Sequence, residues 1–326
     1  MNDAMPPVQF KDRLVLSLVR SWCFVRHIRL LRHTIRMAGV RPDPATPTSD
    51  IDKFLWRKIF DRNPMFTMAC DKIASKEYAS SVCPRLKTAD ILWIGYDPDQ
   101  IPEHVLAGDV VIKSNHGAGR YIMVHGGGVD RASLRQSASM WMKKGFGVGR
   151  GEWGYKNVDR RVFVERMLVD DGLPIRSEYK FTVAGGQTVH VFVARKVGQA
   201  REQRFHTDSN GRVQAESIAA DHSLKDFITP QCFARMRRIA ERLAAPFDFI
   251  RCDLYDMDGE IYFSEFAVYP QSGRRTGANK ELRELRNSLW DLRRSWFLTT
   301  PQSGWQRIYA TALCRWLDQT AHGRSS

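Results

Sequence analysis

Residues 251–255 read RCDLY and residues 261–265 read IYFSE, with an Asp-Gly turn sequence between them. Apolar residues on both sides of such a turn predict an antiparallel β-hairpin. With a three-residue loop, Asp253 would face Phe263, and Glu265 would lie two residues further along the same face. Two carboxylates on one buried face repel each other unless a cation lies between them, and carboxylate oxygens suit Mg²⁺. The hairpin therefore predicts a magnesium site.

The same hairpin has a second interpretation, in which no metal is involved. Asp253 would pair with Arg251 or with another arginine, and Glu265 would simply point to solvent. Buried carboxylates are usually paired, so the sequence alone leaves both interpretations open.

A second candidate site follows the apolar strand predicted at residues 110–113. This strand ends at Lys113, and the small-residue loop SNHGAG occupies residues 114–119. A lysine at a strand end and the N–H groups of such a loop can together hold a phosphate. The chain contains no GxxxxGK[ST] string, which excludes a Walker A loop. The alternative is a lysine beside an ordinary turn.

Two other patterns exclude further cofactor classes. Residues 149–154 spell GxGxxG, but they follow a predicted helix instead of opening one, which excludes a dinucleotide-binding fingerprint. The six cysteines form no CxxC pair and no Cys/His ligand spacing. They predict reduced thiols, and neither a disulfide framework nor a zinc site.

The formal net charge of +14 is concentrated at the two ends of the chain. Residues 1–41 contain 8 Lys and Arg against 2 acidic residues, and residues 274–326 contain 10 against 4. Residues 42–273 contain 32 against 30, so the middle is nearly neutral. This distribution argues against a nucleic-acid-binding surface that extends over the whole fold.

The two basic ends have the pattern of amphipathic helices. Residues 9–38 alternate apolar and basic residues at helical spacing, and the tail from residue 280 is rich in Arg, Trp and Leu. Such helices could rest on anionic lipid, or they could pack on the body as peripheral helices. Helices and antiparallel hairpins alternate between these ends, which predicts the α+β class.

Several blocks of sequence, in order across about residues 65–273, resemble the TupA-like ATP-grasp family. The blocks are DKIASKEY (71–78), KSNHGAG (113–119), EWGYKNV (152–158), VE (164–165), EYKF (178–181), RCDLY (251–255), YFSE (262–265) and PQSG (270–273). The resemblance implies an ATP-grasp fold, in which two α+β lobes hold ATP between them, with extra basic helices at both ends. The implied segments are a basic helical segment (1–45), an N-terminal lobe (46–108), a central lobe with a phosphate lid (109–170), a C-terminal lobe with the metal-binding hairpin (171–273) and a basic helical tail (274–326).

Carried over position by position, the resemblance implies roles in binding ATP. Lys72 and Lys113 would contact the phosphates, and Glu165 would lie beside the adenine and ribose. The loop that would close over the phosphates contributes Asn115, His116, Gly117 and Gly119.

The resemblance also implies the residues that carry the reaction. Lys180 and Arg195 would face the γ-phosphate and the acyl phosphate, while Asp253 and Glu265 would bind Mg²⁺. Ala267 stands where the family commonly has Thr, so one metal position lacks a side-chain ligand.

The resemblance implies a carboxylate–amine ligase that works through an acyl phosphate. Its partners would be small-molecule or glycan carboxylates and amines, in the biosynthesis of cell-surface polysaccharides or glycan peptides. We expect a cytoplasmic protein, in peripheral contact with the inner face of the membrane if its basic ends bind lipid. One alternative is a kinase that phosphorylates a sugar or a carboxylate. A second is a non-enzymatic protein that binds nucleic acid or an anionic membrane.

Overall fold

The computed structural model describes residues 8–170, 173–174, 177–197, 201–214, 228–273 and 280–322. The chain forms two compact units. Unit 1 contains Met1–Asn63, Gly149–Gly151 and Tyr269–Ser326, and unit 2 contains Pro64–Val148 and Glu152–Val268.

The helices and strands of the described residues follow in chain order. The α-helices are α1 (Phe10–Arg26), α2 (Ile28–Ala38), α3 (Asp50–Ile59), α4 (Met65–Cys70), α5 (Lys72–Val82), α6 (Glu103–Leu106), α7 (Arg131–Lys143), α8 (Phe233–Ala244), α9 (Lys280–Leu289), α10 (Trp296–Thr299) and α11 (Gly304–His322). The strands are β1 (Lys87–Thr88), β2 (Ile91–Gly95), β3 (Val110–Ser114), β4 (Tyr121–Val124), β5 (Val162–Arg166), β6 (Val169–Asp170), β7 (Leu173–Pro174), β8 (Ser177–Ala184), β9 (Gln187–Val197), β10 (Arg201–Thr207), β11 (Phe249–Met257) and β12 (Glu260–Ala267).

Unit 1 is helical, and its core is built from large aromatic side chains. Trp56 and Tyr309 are fully buried, and the indole N–H of Trp56 donates to the Tyr309 hydroxyl at 3.0 Å. The Lys53 ammonium donates a hydrogen bond to the carbonyl of Trp290 at 2.6 Å. Trp290 directly follows α9, and a cation is favourable at the C-terminal end of a helix. The predicted helix over residues 9–38 is interrupted at His27, where α1 ends and α2 begins.

Unit 2 contains two antiparallel sheets with helices packed on them. The smaller sheet has the order β2-β5-β3-β4, and α7 packs on it over a core that includes Ile112, Leu134 and Val164. The larger has the order β1-β12-β11-β8-β9-β10, in which only β1 and β12 are parallel. Helices and antiparallel strands thus occur together, so the predicted α+β class is confirmed.

Two β-hairpins lie in the larger sheet, and the second of them is the one that the sequence predicted. Gly185 and Gly186 join β8 to β9 with φ values of +60° and +84°, as a two-residue turn requires. Asp258 and Gly259 join β11 to β12 with φ values of +48° and +82°. The three-residue loop expected here is wrong, because Met257 pairs with Glu260 and leaves two residues in the turn.

A β-bulge in the second hairpin corrects the predicted register of the two carboxylates. Leu254 pairs with Phe263, whereas Asp253 pairs with Glu265, so Ser264 is the extra residue on β12. Asp253 therefore faces Glu265 directly, and does not face Phe263 as expected. Among the described helices, none is both long enough and apolar enough to cross a membrane.

Candidate functional site

A cavity of about 430 Å³ lies within unit 2 and is lined by side chains from both sheets and from the loop after β3. Its charged lining residues are Lys72, Lys113, Arg120, Arg166, Lys180 and Arg251, with Glu165, Glu178 and Glu265. Six cations against three carboxylates give this lining a formal charge of +3, which suits a polyanionic ligand. Apolar side chains line another part of the wall, namely Val111, Met123, Met167, Leu168 and Ala194.

The smaller sheet contributes a buried carboxylate held between two lysines. Glu165 on β5 accepts a hydrogen bond from the Lys113 ammonium of β3, and the Lys76 ammonium of α5 lies 3.2 Å from its other oxygen. Burial alone would raise the pKa of Glu165, but Lys113 and Lys76 outweigh it and lower the pKa. Burial disfavours the Lys113 charge in turn, yet Glu165 raises the pKa of that ammonium. Glu165 and Lys113 are therefore both charged at neutral pH, whereas burial lowers the pKa of Lys76 although Glu165 opposes that shift.

The larger sheet contributes a second buried carboxylate. Asp253 is fully buried, and Arg251 on the same strand donates to both of its oxygens at 2.7 and 2.6 Å. Lys180, its cross-strand neighbour on β8, lies 3.3 Å from the same carboxylate and also donates to Glu178. Burial raises the pKa of Glu178, and the charge of Asp253 adds to that rise although Lys180 opposes it.

Glu265 lies on β12, directly opposite Asp253 of β11. It is bound by Lys72, the first residue of α5. The Lys72 ammonium is 3.0 Å from the Glu265 carboxylate and also donates to the carbonyl of Gly117. Burial opposes the charge of Glu265, but Lys72, Arg251 and Lys180 prevail and lower its pKa to about 2. Asp71 fixes the start of α5, because its carboxylate accepts the N–H groups of Ile73 and Ala74.

Each interpretation of the hairpin captures part of this arrangement. Asp253 does pair with Arg251, but the Glu265 side chain is only 24% exposed and is bound to Lys72. The two carboxylates are directly opposed on adjacent strands, which is a donor set that fits Mg²⁺. No cluster of three or more metal-ligating side chains occurs among the residues that the structure describes. Mg²⁺ commonly takes one or two protein carboxylates and completes its shell with phosphates and water, so a pair is sufficient.

Asn115 and His116 are not among the residues that line the cavity. Instead, they stabilise the backbone of the predicted phosphate loop. Both are fully buried. The Asn115 amide bridges two backbone groups, donating to the carbonyl of Asp159 and accepting the N–H of Arg161, each at 2.8 Å.

His116 is held as a neutral ring. Arg120 is 2.7 Å from its Nε2, and a guanidinium only donates, so Nε2 must carry a lone pair. Its Nδ1 then carries the proton and lies 2.8 Å from the Ser114 hydroxyl. Burial, together with Arg120 and Arg160, lowers the pKa of His116 to about 4. His116 thus positions Arg120, which lines the cavity.

The two glycines of the loop differ in what they require. Gly117 has φ +85°, and a Cβ at this position would come within 2.6 Å of the Phe146 ring. Gly119 has φ +69° and lines the cavity, but a Cβ there would meet nothing within 4 Å. A side chain is therefore excluded by contact only at Gly117.

The structure does not bring Arg195 to the cavity. Its neighbour Ala194 lines the cavity, and successive residues of a strand point to opposite faces, so Arg195 lies on the other face of β9. Of the other expected site residues, Lys72, Lys113, Gly119, Glu165, Lys180 and Glu265 line the cavity, while Asp253 lies directly behind Lys180 and Arg251.

The sequence analysis gave no ligand-binding role to three residues of this site, although each had a signal. Arg251 is two residues before Asp253 and Glu178 is two before Lys180, so each shares a strand face with its partner. Lys76 is one helical turn after Lys72 and therefore points from the same side of α5.

The sequence model of a family described as TupA-like ATPgrasp matches residues 52–288, well over half of the chain. This match confirms the ATP-grasp fold that the motifs predicted. No curated protein matches the chain.

Several solved structures are similar to this chain at low sequence identity. D-alanine–D-alanine ligase from Bacillus anthracis, complexed with ATP, is 14% identical with a TM-score of 0.41, covering 68% of this chain and 66% of that ligase. L-amino acid ligase from Bacillus licheniformis is 12% identical with a TM-score of 0.41, covering 68% and 50% respectively. The ATP-grasp ligase PsnB, complexed with a minimal precursor, is 13% identical with a TM-score of 0.37, covering 69% and 62%. This chain thus spans less than two thirds of the length of each of these ligases.

Proposed function

The chain belongs to the TupA-like ATP-grasp family, and from this premise we propose that it is an ATP-dependent carboxylate–amine ligase. The observation that carries the proposal is the cationic cavity of unit 2, with Glu265 in its wall and the buried Asp253 directly opposite Glu265 on the neighbouring strand. Such a cavity can neutralise a triphosphate, both through side-chain cations and through a divalent ion.

ATP would lie with its phosphates at the charged part of the cavity and its base at the apolar part. Lys72, Lys113, Lys180 and Arg251 supply ammonium and guanidinium groups that favour phosphate oxygens. The adenine would pack against the apolar lining formed by Val111, Met123, Met167 and Leu168.

We assign Mg²⁺ to Asp253 and Glu265. When bound, the ion would neutralise charge on the phosphate oxygens and so favour attack at phosphorus. Arg251 and Lys72 now hold these carboxylates. Phosphate oxygens offer both cations a substitute anion, so nucleotide entry can free the carboxylates without leaving a buried charge unpaired.

The proposed reaction has two steps. A carboxylate oxygen of the first substrate attacks the γ-phosphorus, the bond to the β,γ-bridging oxygen breaks, and ADP leaves. The amine of the second substrate then attacks the acyl carbon, phosphate leaves, and the amine proton passes to solvent. Lys180 and Arg251 would stabilise charge on the transferred group, since Arg251 lines the cavity where Arg195 was expected.

We further propose substrates from the biosynthesis of cell-surface polysaccharides or glycan peptides, such as a uronic acid and an amino acid. Family membership supports this part of the proposal. The +3 lining favours an acidic acceptor as well as ATP, because both are anions.

Thermal unfolding with and without Mg-ATP, followed by a screen for ADP release, tests the proposal. We expect Mg-ATP to raise the unfolding midpoint, and ADP release to require a uronic or amino acid as acceptor. Lys180→Met should abolish release, while Lys143→Met, on the exposed side of α7, serves as the matched control. A product that retains phosphate when amine is present would identify a kinase and refute the ligase. Absence of any nucleotide effect would refute both.

A further inference from the structure

Helix α1 of unit 1 has two apolar faces, of which only one is used in packing. Leu16, Val19 and Cys23 are buried in unit 1. On the opposite side, the exposed fractions are 85% for Phe10, 53% for Leu14, 62% for Leu18 and 81% for Val25. We call these four exposed residues the apolar stripe.

The spacing of the apolar stripe places its members on one side of the helix. Offsets of 4, 4 and 7 residues at 100° per residue keep all four within about 80° of the circumference. Next to this sector, Trp22 packs on Trp305 of α11 with ring centroids 5.1 Å apart, and both rings remain partly exposed. Large apolar side chains aligned in this way mark an interaction surface, in contrast to single exposed residues.

Helix α2, separated from α1 by His27 alone, has a basic outer face. Arg29, Arg32 and Arg36 are exposed and follow at i, i+3 and i+7, on the side opposite the buried Leu31 and Thr34. We call these three residues the arginine face.

The surface of α1 and α2 has no exposed carboxylate to offset this charge. Asp12 is the one acidic residue between positions 10 and 41. It is buried, and its oxygens accept hydrogen bonds from Arg315 of α11 at 3.1 and 3.2 Å. The exposed charge on these two helices is therefore uniformly positive.

We propose that α1 and α2 bind an anionic lipid bilayer, with the apolar stripe at the acyl boundary and the arginine face among the headgroups. An exposed apolar sector beside a cationic one is what a helix needs to lie in a membrane interface. A second copy of the chain is disfavoured as the occupant, because two arginine faces would repel each other. Nucleic acid offers phosphates but no partner for four large apolar side chains. This inference goes beyond the ligase proposal and does not depend on it.

Co-sedimentation of the full chain with phosphatidylcholine vesicles, with and without phosphatidylglycerol, tests the proposal. We expect binding that requires phosphatidylglycerol and weakens as salt is raised. Arg29→Glu/Arg32→Glu/Arg36→Glu should weaken binding by roughly a hundredfold or more. The matched control is Arg85→Glu/Lys143→Glu/Arg238→Glu, which changes the net charge equally on exposed positions of unit 2 and should bind like the parent.

The apolar stripe is tested separately with Leu14→Ser/Leu18→Ser. We expect binding to fall by about tenfold or more, because exposed apolar area is removed from the lipid contact. Leu285→Ser, at an exposed leucine of α9 in the same unit, is the matched control. Both variants should keep the parental unfolding midpoint, since the substituted side chains are exposed.

Several outcomes would overturn the proposal. They are absence of vesicle binding, equal binding to neutral vesicles, equal loss in the controls, and self-association that Leu14→Ser/Leu18→Ser abolishes. Tight RNA binding without lipid binding would likewise overturn it in favour of a nucleic-acid surface.

Discussion

The two walls of the cavity in unit 2 carry their charge in different ways. The cationic wall contains Lys113 and Glu165, and the Glu165 carboxylate also forms an ion pair with Lys76, which does not line the cavity. The carboxylate wall consists of Glu178, Asp253 and Glu265, where Lys180, Arg251 and Lys72 are the counter-charges. On formal charges the group around Glu165 has two cations for one carboxylate, whereas the carboxylate wall has three carboxylates balanced by three cations.

This difference suggests that the two walls bind different parts of one ligand. The cationic wall can bind phosphate oxygens without a metal ion, because the pKa of Lys113 is raised and its ammonium group stays charged. The carboxylate wall suits a divalent ion that arrives with the phosphates. Variants that act on one wall only can test the division.

Loss of charge from the carboxylate wall should have the largest effect. Asp253→Asn and Glu265→Gln keep the side-chain shape but remove ionic ligands, so we expect ADP release to fall about a thousandfold or more. Glu260→Gln is the control, since it lies on the same strand and is paired only at the surface with Lys87. Retention of full ADP release in either variant would refute the metal assignment.

Loss of charge from the cationic wall should weaken nucleotide binding instead. Lys113→Met should raise the Kd of ATP by about 10- to 100-fold, because charge-assisted hydrogen bonds are lost. The change should persist in the presence of a chelator, as calorimetry with and without Mg²⁺ would show. Asp253→Asn should not weaken metal-free binding, since it removes a negative charge near the phosphates. If Lys113→Met mattered only with Mg²⁺ present, the two walls would not differ as described.

The loop after β3 allows a finer test of the cationic wall. Gly117→Ala places a Cβ at positive φ against Phe146, so we expect a loss of about 2 kcal/mol in unfolding free energy. Gly119→Ala meets no neighbour and should cost about 1 kcal/mol from its positive φ alone. Urea unfolding of the two variants measures the difference. Equal losses would mean that the contact with Phe146 does not constrain the loop.

The pH dependence of stability tests the neutral state of His116. His116 has a folded pKa of about 4, below the ordinary value of 6.5, so the unfolded chain binds a proton that the folded one excludes. His116 therefore does not change the free energy of unfolding above pH 6.5, and it lowers that free energy as the pH falls from 6.5 toward 4. Urea unfolding across this range should show a flatter pH slope for His116→Gln. An unchanged slope would mean that the ring is already protonated in the folded state.

Local patterns were enough to predict much of the fold. The strand predicted at residues 110–113 depends on neighbouring residues alone, and it is present as β3, which extends one residue further to Ser114. The same holds for Asp253 and Glu265, which share one face of a hairpin.

Features that depend on distant residues were not predictable. The bulge at Ser264 changed the register, and no neighbouring residue distinguishes it from a regular strand. The two-residue turn did have a local signal, because an Asp-Gly pair is typical of such turns. The resemblance implied that Arg195 faces the acyl phosphate, but which face of β9 turns toward the cavity depends on the packing of the whole sheet. Glu165 was expected beside the nucleotide, while its ion pair with Lys76 joins a strand to a helix almost ninety positions earlier.

The extra residue on β12 has a consequence for what one strand can offer a ligand. In a regular strand only every second side chain can face a ligand on one side of the sheet. Ser264 and Glu265 are consecutive, yet both line the cavity. Deleting Ser264 would leave Asp253 opposite Glu265, because Phe263 and Glu265 would then be consecutive and would pair in regular register with Leu254 and Asp253. The shortened chain would keep its carboxylates and lose one hydroxyl, which makes position 264 a place where substrate preference can change while the chemistry stays intact.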